Sequence, residues 1–131
     1  MQAHPLRLGP HQDLRRALEA VLAQHGATAA FVLQGIGSLS VARIRYAGLA
    51  QALELHGDLE ILTLAGSLSQ DGAHLHASVS DAQGKVLGGH LDYGCMVRTT
   101  AEILLVLLPE HRFSRASDAA SGFKELVVAR R

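Results

Sequence analysis

Three histidines lie close together in the segment HLHASVSDAQGKVLGGH, residues 74 to 90. His74 and His76 are one residue apart, and His90 follows a stretch of turn-forming residues. Alternate residues of a β-strand share one face and lie roughly 7 Å apart, because each residue rises about 3.3 Å. If this segment forms a strand, the first two imidazoles can therefore approach the same ion.

The stretch DAQG, residues 81–84, is typical of a type I turn that closes a β-hairpin. Folding back there brings His90 opposite His74 or His76. In an even register the three rings share a face, whereas a slip of one residue sends His90 to the other face. Three histidines with an open fourth position are typical of catalytic Zn²⁺ centres, so this pattern predicts a zinc site. The alternative is a solvated strand face in a chain with eight histidines.

Other side chains near this segment are candidate partners in chemistry. Glu102 and Arg98 are candidate proton and charge partners of a metal-bound substrate, and Asp92 could orient an imidazole. Each is equally a candidate for a solvated or structurally paired charge. Cys95 is interpreted as a small residue of the hydrophobic core. The stretch GIGSLS, residues 35–40, lacks the Gly-Lys-Ser/Thr ending of a P-loop and is interpreted as a turn.

The bulk composition indicates one intracellular domain. The 131 residues are near the usual size of a single domain, and 48% are hydrophobic. Twelve basic and twelve acidic residues leave no net charge to attract a polyanion, which argues against direct DNA binding. A single cysteine fits a reducing, cytoplasmic environment, and the longest aliphatic run, ILLVLL, is far too short to span a membrane.

The pattern of hydrophobic residues predicts an α+β domain. One helix is expected from Asp13 to just before Gly26, with Leu14, Ala17, Leu18, Val21 and Leu22 on its apolar stripe and Arg15, Arg16 and Glu19 facing water. About seven short strands follow, so we expect a mostly antiparallel bent sheet or barrel with the N-terminal helix packed on it. The strands are predicted within residues 28–37, 40–49, 59–68, 73–80, 85–94, 97–108 and 124–130.

The alternation within single strands predicts which residues share a face. In residues 59–68, Leu59, Ile61, Thr63 and Ala65 are expected on one face, with Leu62 and Leu64 on the other, which makes this strand central. In residues 73–80 the histidines are expected on the polar face. Strand glycines indicate bulges or close approach of backbone, as at Gly66, Gly88, Gly89 and Gly94, and the glycines before His90 are also expected to leave room for backbone, a neighbouring subunit or a ligand.

The consecutive segments GIGSL, GDLEILTLAGSLS, HLHASVSDAQGKVLGGHLDYGCMVRTTAEILL and GFKELVV together resemble the plant and prokaryote conserved (PPC) domain. The resemblance runs from about Asp13 to Val128. We therefore expect a single PPC domain over residues 1–131, with a core of about 13–128 and terminal extensions at 1–9 and 129–131.

This resemblance implies several further properties. PPC domains assemble as trimers, so a homotrimer is expected, and in plant members a segment matching GDLEIL associates with protein partners. That segment is Gly57, Asp58, Leu59, Glu60, Ile61 and Leu62. Plant members usually carry an AT-hook, whereas this chain has no Arg-Gly-Arg core and resembles the stand-alone prokaryotic form. The fold is also similar to that of acetolactate decarboxylase, whose zinc is held by three histidines.

Three functions follow as hypotheses. The first is an oligomeric binding or regulatory module with a three-histidine metal site. The second is a zinc-dependent lyase or hydrolase that acts on a small carbonyl or carboxylate compound, with Glu102 or Arg98 as its proton or charge partner. The third is a DNA-binding protein, which the absence of net charge and of an AT-hook disfavours.

Overall fold

The computed structural model describes residues 1–131 and contains one helix and eight strands. In chain order, these elements are β1 (Gln2–Leu8), α1 (Leu14–Gln24), β2 (Ala29–Arg45), β3 (Leu53–Ser69), β4 (Gly72–Ser80), β5 (Val86–Leu91), β6 (Met96–Leu107), β7 (His111–Ser117) and β8 (Lys124–Arg130).

Six of the strands form one antiparallel sheet in the order β1-β6-β2-β3-β4-β5. The end of β2 also pairs with β5, through Ile44 with Leu91 and Arg45 with His90, so strands β2 to β5 close into a small barrel. The last two strands form a separate antiparallel hairpin. The predicted α+β class with a bent, mostly antiparallel sheet and an N-terminal helix is confirmed.

The helix begins where the sequence predicts. The side chain of Asp13 caps it by accepting a hydrogen bond from the Arg16 N–H. Leu14, Leu18 and Leu22 are buried against the sheet, as their spacing requires. With 11 residues, this helix is too short to cross a bilayer, and no helix meets that requirement.

One detail of the predicted helix surface is wrong. Arg16 faces water, but the side chains of Arg15 and Glu19 are only 20% and 24% exposed. They form a salt bridge and contact residues of β4 and of the loop after β5. The helix therefore presents a polar edge to the sheet in addition to its leucine stripe.

The structure has strands that the sequence did not predict. β1 pairs along its length with β6, and β7 pairs with β8. The predicted turn at residues 35–40 is also wrong, because β2 runs through it without a break. Gly37 lies there because a Cβ atom would overlap the backbone of Thr100 on the neighbouring β6. The glycine permits close approach of two strands and does not reverse the chain.

A bulge in β3 changes the predicted faces of that strand. Leu59 and Ile61 are buried as expected, but the pairing with β4 shifts between Ile61 and Thr63. Leu62 is therefore exposed and Leu64 is fully buried, so these two leucines do not share a face. The strand does occupy a central place, between β2 and β4.

Candidate metal centre

The three histidines lie on the hairpin formed by β4 and β5. Asp81 and Gly84 make its turn: the Gly84 N–H donates to the Asp81 carbonyl at 3.0 Å, and the Asp81 N–H donates to the Lys85 carbonyl at 3.0 Å. Gly84 has φ +81°, a conformation that glycine adopts without strain. This turn sets a register in which His76 lies directly opposite His90.

Alternation along β4 directs two of these rings outward. Leu75, Ala77 and Val79 are buried in the core, so His74 and His76 lie on the opposite, solvent-facing side of the strand. On β5, the buried Leu91 directs the preceding His90 to the same outer face. All three rings therefore meet on one face, where their ligand nitrogens lie within 4.8 Å of one another.

One ring nitrogen of His74 lies within hydrogen-bond distance of a nitrogen on each of the other two rings. The Nε2 atom of His74 is 3.2 Å from Nδ1 of His90 and 3.2 Å from Nε2 of His76. A neutral imidazole nitrogen carries either one proton or one lone pair in the ring plane. Nε2 of His74 can therefore form a proper hydrogen bond with only one of these two neighbours.

A single cation would satisfy this donor set. Nitrogens that bind Zn²⁺ at about 2.0–2.1 Å with tetrahedral angles are about 3.3–3.4 Å apart, close to the two 3.2 Å separations around His74 Nε2, and the third pair of nitrogens lies within 4.8 Å. Imidazole nitrogens suit Zn²⁺ and several other divalent transition metals. Three protein ligands also leave one position of a tetrahedral ion free for solvent or a ligand.

The electrostatic environment favours the neutral form of two of the rings. Partial burial lowers the pKa of His74 below its ordinary value of 6.5, and the nearby Arg115 lowers it further. Partial burial likewise lowers the pKa of His90, with Arg45 as the next cause. Since only a neutral imidazole has a free lone pair, both shifts favour metal binding near neutral pH.

Two glycines before His90 allow β5 to pack closely between its neighbours. A Cβ atom on Gly88 would lie 2.6 Å from the Ala77 carbonyl oxygen of β4, and one on Gly89 would lie 2.5 Å from the Arg45 carbonyl oxygen of β2. The space left by these glycines is thus occupied by backbone. Gly66 has the same role in β3, where a Cβ atom would overlap the His74 carbonyl oxygen.

A polar network lies at the beginning of β4, beside the histidines. The Glu19 carboxylate accepts hydrogen bonds from the Ala73 N–H at 2.9 Å, from Arg15 Nε at 3.2 Å and from the Tyr93 hydroxyl at 2.9 Å. The Arg15 guanidinium stacks over the Tyr93 ring at 4.1 Å. Burial and the bond to Glu19 raise the pKa of Tyr93. This network ties α1 to the residue that precedes His74.

A surface cavity of about 790 Å³ opens beside His74 and His90. The turn end of the β7–β8 hairpin contributes part of its wall, including the exposed ring of Phe123. No sequence signal connects these residues with the histidines, because only the folded chain brings them together. Four cationic and two acidic side chains line the cavity, namely Arg15, Arg45, Arg115, Lys124, Asp71 and Glu125.

The predicted partners of the histidines lie elsewhere in the chain. Arg98 forms a salt bridge with Asp58 at 3.0 Å. Glu102 lies in a separate groove, opposite Arg7 of β1 and Ile36 of β2. Neither residue lines the cavity beside the histidines. Their assignment as proton or charge partners stays a prediction.

Two further residues named from the sequence have structural contacts. Asp92 lies near His74 and His90 in a small cavity, but its carboxylate accepts from the Tyr93 N–H at 2.7 Å and lies 3.7 Å from Arg15 Nη1. Cys95 is fully buried, and burial raises its thiol pKa to about 11. The thiol is therefore protonated at neutral pH and serves as part of the core.

The predicted partner-binding segment, residues 57–62, occupies the middle of β3. Leu59 and Ile61 are buried in this chain's own core and have no surface to offer a partner. Asp58, Glu60 and Leu62 are exposed. The role of the segment in partner binding stays a prediction, and these three side chains are the ones that are accessible for it.

The closed antiparallel sheet, the single packed helix and the outward-facing histidines define a small α+β domain with a candidate metal-binding cluster. The family model of the Plants and Prokaryotes Conserved (PCC) domain matches residues 1–109. The chain belongs to this family, which confirms the resemblance to the PPC domain seen in its sequence.

Known proteins resemble the chain over almost all of its length. The bifunctional protein GlmU of Synechococcus sp. strain JA-2-3B'a(2-13) is 50% identical over 128 residues, which are 98% of this chain and 20% of that protein. The chain thus spans about one-fifth of the length of this curated relative.

Two solved structures extend the comparison. A hypothetical protein from Salmonella cholerae-suis is 41% identical with a TM-score of 0.96, over 99% of this chain and 94% of that one. A metal-containing protein from Archaeoglobus fulgidus is 30% identical with a TM-score of 0.80, over 97% and 94% of the two chains.

Proposed function

We propose that this PPC domain is an oligomeric binding module in which His74, His76 and His90 hold a divalent metal ion, with Zn²⁺ as the ion that fits best. The observation that carries the proposal is the pair of 3.2 Å nitrogen separations around His74 Nε2. Hydrogen bonds alone do not satisfy both contacts, whereas one cation does. The likeness to a metal-containing protein from A. fulgidus supports the same conclusion.

Metal analysis of purified protein tests this proposal. We expect protein saturated with Zn²⁺ and then desalted to retain close to one ion per chain, and His76→Ala to retain at least tenfold less. His56→Ala is the matched control, because His56 is an exposed histidine on β3 whose ring hydrogen-bonds to Glu54 and lies outside the histidine cluster. Near-zero zinc in the unsubstituted protein, or equal zinc in all three proteins, would overturn the proposal.

Self-association is part of the same proposal, and a homotrimer is the expected state. Exposed apolar side chains lie on neighbouring strands of the outer sheet face, with Ile36 of β2 beside Leu62 of β3. Burying such a patch between subunits is favourable. The apolar residues of this face include Phe31, Leu33, Ile36, Leu62 and Leu104.

Light scattering at micromolar concentration tests the oligomer. We expect the mass of a trimer, and we expect Ile36→Lys to yield monomers. Val86→Lys is the control, since Val86 is an exposed apolar residue on β5, a strand that carries none of these five side chains. A monomeric mass for the unsubstituted chain would contradict this part of the proposal.

The same cluster supports a zinc-dependent lyase or hydrolase as a second candidate function. The observation in its favour is the combination of three protein ligands with an adjacent cavity, which leaves room for a substrate on the ion. A small carbonyl or carboxylate compound would suit the cavity. Zinc-dependent turnover of such a compound that His76→Ala abolishes would support this function, and turnover unaffected by His76→Ala would exclude it.

Direct DNA binding is the third candidate and has the least support. The chain has no net charge and no AT-hook. Salt-dependent retention on duplex DNA would be needed to support this function.

A reducing, cytoplasmic environment also belongs to the proposal, because the single cysteine is buried and unpaired.

A further inference from the structure

We infer that the cavity beside the histidines is a binding site for a small organic oxyanion, a compound that carries a carboxylate or phosphate group. The inference rests on the proposed metal site, because it places a second oxygen of that compound at the ion's open position. Its basis is the cationic lining of the cavity, which has four Arg or Lys side chains and two acidic ones in a chain without net charge. A bound divalent ion would increase that positive excess.

Two of the arginine guanidinium groups are held in place by neutral acceptors, without a carboxylate in salt-bridge contact. Arg45 donates from Nη1 to the Leu49 carbonyl at 3.1 Å, and Arg115 donates from Nη2 to the Ser67 hydroxyl at 2.8 Å. Neither guanidinium forms a salt bridge. Both side chains are half-buried, so their positive charges are positioned by neutral acceptors and left uncompensated. Arg15 differs, because Glu19 neutralises it.

The two uncompensated arginines flank the histidine cluster from two sides. Arg45 on β2 pairs across strands with His90. Arg115 on β7 is anchored to Ser67, which is the cross-strand partner of His74. An oxyanion between the two guanidiniums would therefore lie next to the nitrogens that face the ion. A guanidinium presents two parallel N–H donors that match the oxygens of a carboxylate or a phosphate.

The β7–β8 hairpin contributes specificity to this site. Arg115 and Lys124 line the cavity from the hairpin, which lies beyond residues 1–109 matched by the family model. The Arg115 N–H donates to the Asp71 carboxylate at 2.8 Å, which fixes the hairpin against the turn between β3 and β4. The metal ligands thus come from the family domain, while half of the cationic side chains come from the segment that follows it.

Calorimetric titration of the full chain tests the inference, with pyruvate and inorganic phosphate as anionic probes and acetamide as a neutral one. We expect zinc-loaded protein to bind at least one anion and not acetamide. Arg115→Gln and Arg45→Gln should each weaken that binding about tenfold or more while zinc content is unchanged. Arg112→Gln is the matched control, because Arg112 is exposed on the same hairpin and does not line the cavity.

The outcomes separate this inference from the proposed metal site. Tighter binding of pyruvate assigns a carboxylate ligand, and tighter binding of phosphate assigns a phosphate compound. Anion binding that depends on Arg115 in a protein that does not retain zinc would support the anion site and overturn the metal site. Zinc retention without anion binding, or anion binding equal in both arginine variants and the unsubstituted chain, would overturn the anion site alone.

Discussion

Two polar clusters lie side by side on β4, and they differ in how fully their hydrogen-bonding groups are matched. In the Glu19 network, one carboxylate accepts from Ala73, Arg15 and Tyr93. In the histidine cluster, three ring nitrogens converge, and the central one cannot serve both of its neighbours. A cluster whose hydrogen-bond donors and acceptors are all paired stabilises the fold, whereas converging nitrogen lone pairs leave a site for a cation.

The largest expected effect is on the stabilisation that zinc provides. Zinc at 100 times its dissociation constant should stabilise the unsubstituted protein by about 2.7 kcal/mol, and His74→Ala should abolish that gain. Without zinc, we expect the same variant to change the free energy of unfolding by less than about 0.5 kcal/mol, since His74 lies on the outer face. Urea unfolding with and without zinc measures both. A large loss of stability in the zinc-free variant would contradict a metal-binding role.

The Glu19 network should respond in the opposite way. Glu19→Ala leaves the Tyr93 hydroxyl, the Ala73 N–H and Arg15 without their acceptor, so we expect a loss of about 2 kcal/mol in the free energy of unfolding. Zinc content should be unchanged. Glu60→Ala, at an exposed position of β3, is the control for loss of a carboxylate. Loss of zinc in folded Glu19→Ala protein would show that the two clusters are not independent.

Removing one hydroxyl from the same network should have a smaller effect. Tyr93→Phe retains the ring under Arg15 and removes the hydroxyl that donates to the Glu19 carboxylate, whose two oxygens lie 2.9 and 3.0 Å from it. We expect a loss of about 1.5 kcal/mol in the free energy of unfolding, the lower end of the range for a hydrogen bond to a charged group. Thermal unfolding of the two proteins side by side measures it. A change as large as that of Glu19→Ala would mean that Tyr93 carries most of the network.

The smallest expected effect concerns pH. The pKa values of His74 and His90 are lowered in the folded chain, so the unfolded chain binds more protons just below the ordinary value of 6.5. Stability of the zinc-free protein should therefore fall as pH decreases from about 7.5 to about 5.5. His74→Ala should reduce this dependence. An identical pH dependence of unfolding in both proteins would contradict the cause assigned to it.

The histidine hairpin could be predicted from sequence because its signals are local. Alternation of apolar and polar residues fixed the outer face of His74 and His76, and the Asp81-to-Gly84 turn restricted the register of His90. The helix was predictable for the same reason, from Asp13 as its cap and a regular leucine stripe. In each case, the residues that determine the local structure lie close together in the sequence, within one hairpin or one helix.

Other features depend on contacts between distant residues and left no local signal. β1 and β7 are strands because they pair with β6 and β8, although their sequences, QAHPLRL and HRFSRAS, show little apolar alternation. Glycines at 35–40 resemble a turn, but they permit close packing of strands. Arg45 and Arg115 reach the histidines only through barrel closure and hairpin docking, so the cationic cavity could not be predicted from sequence.

A crystal structure of zinc-soaked protein, with anomalous scattering measured at the zinc edge, tests the central claim most directly. We predict a single strong anomalous peak about 2.0–2.1 Å from His74 Nε2, His76 Nε2 and His90 Nδ1, with a fourth, non-protein position facing the arginine-lined cavity. An anomalous peak elsewhere, or no peak at these three nitrogens in protein saturated with zinc, would contradict the account.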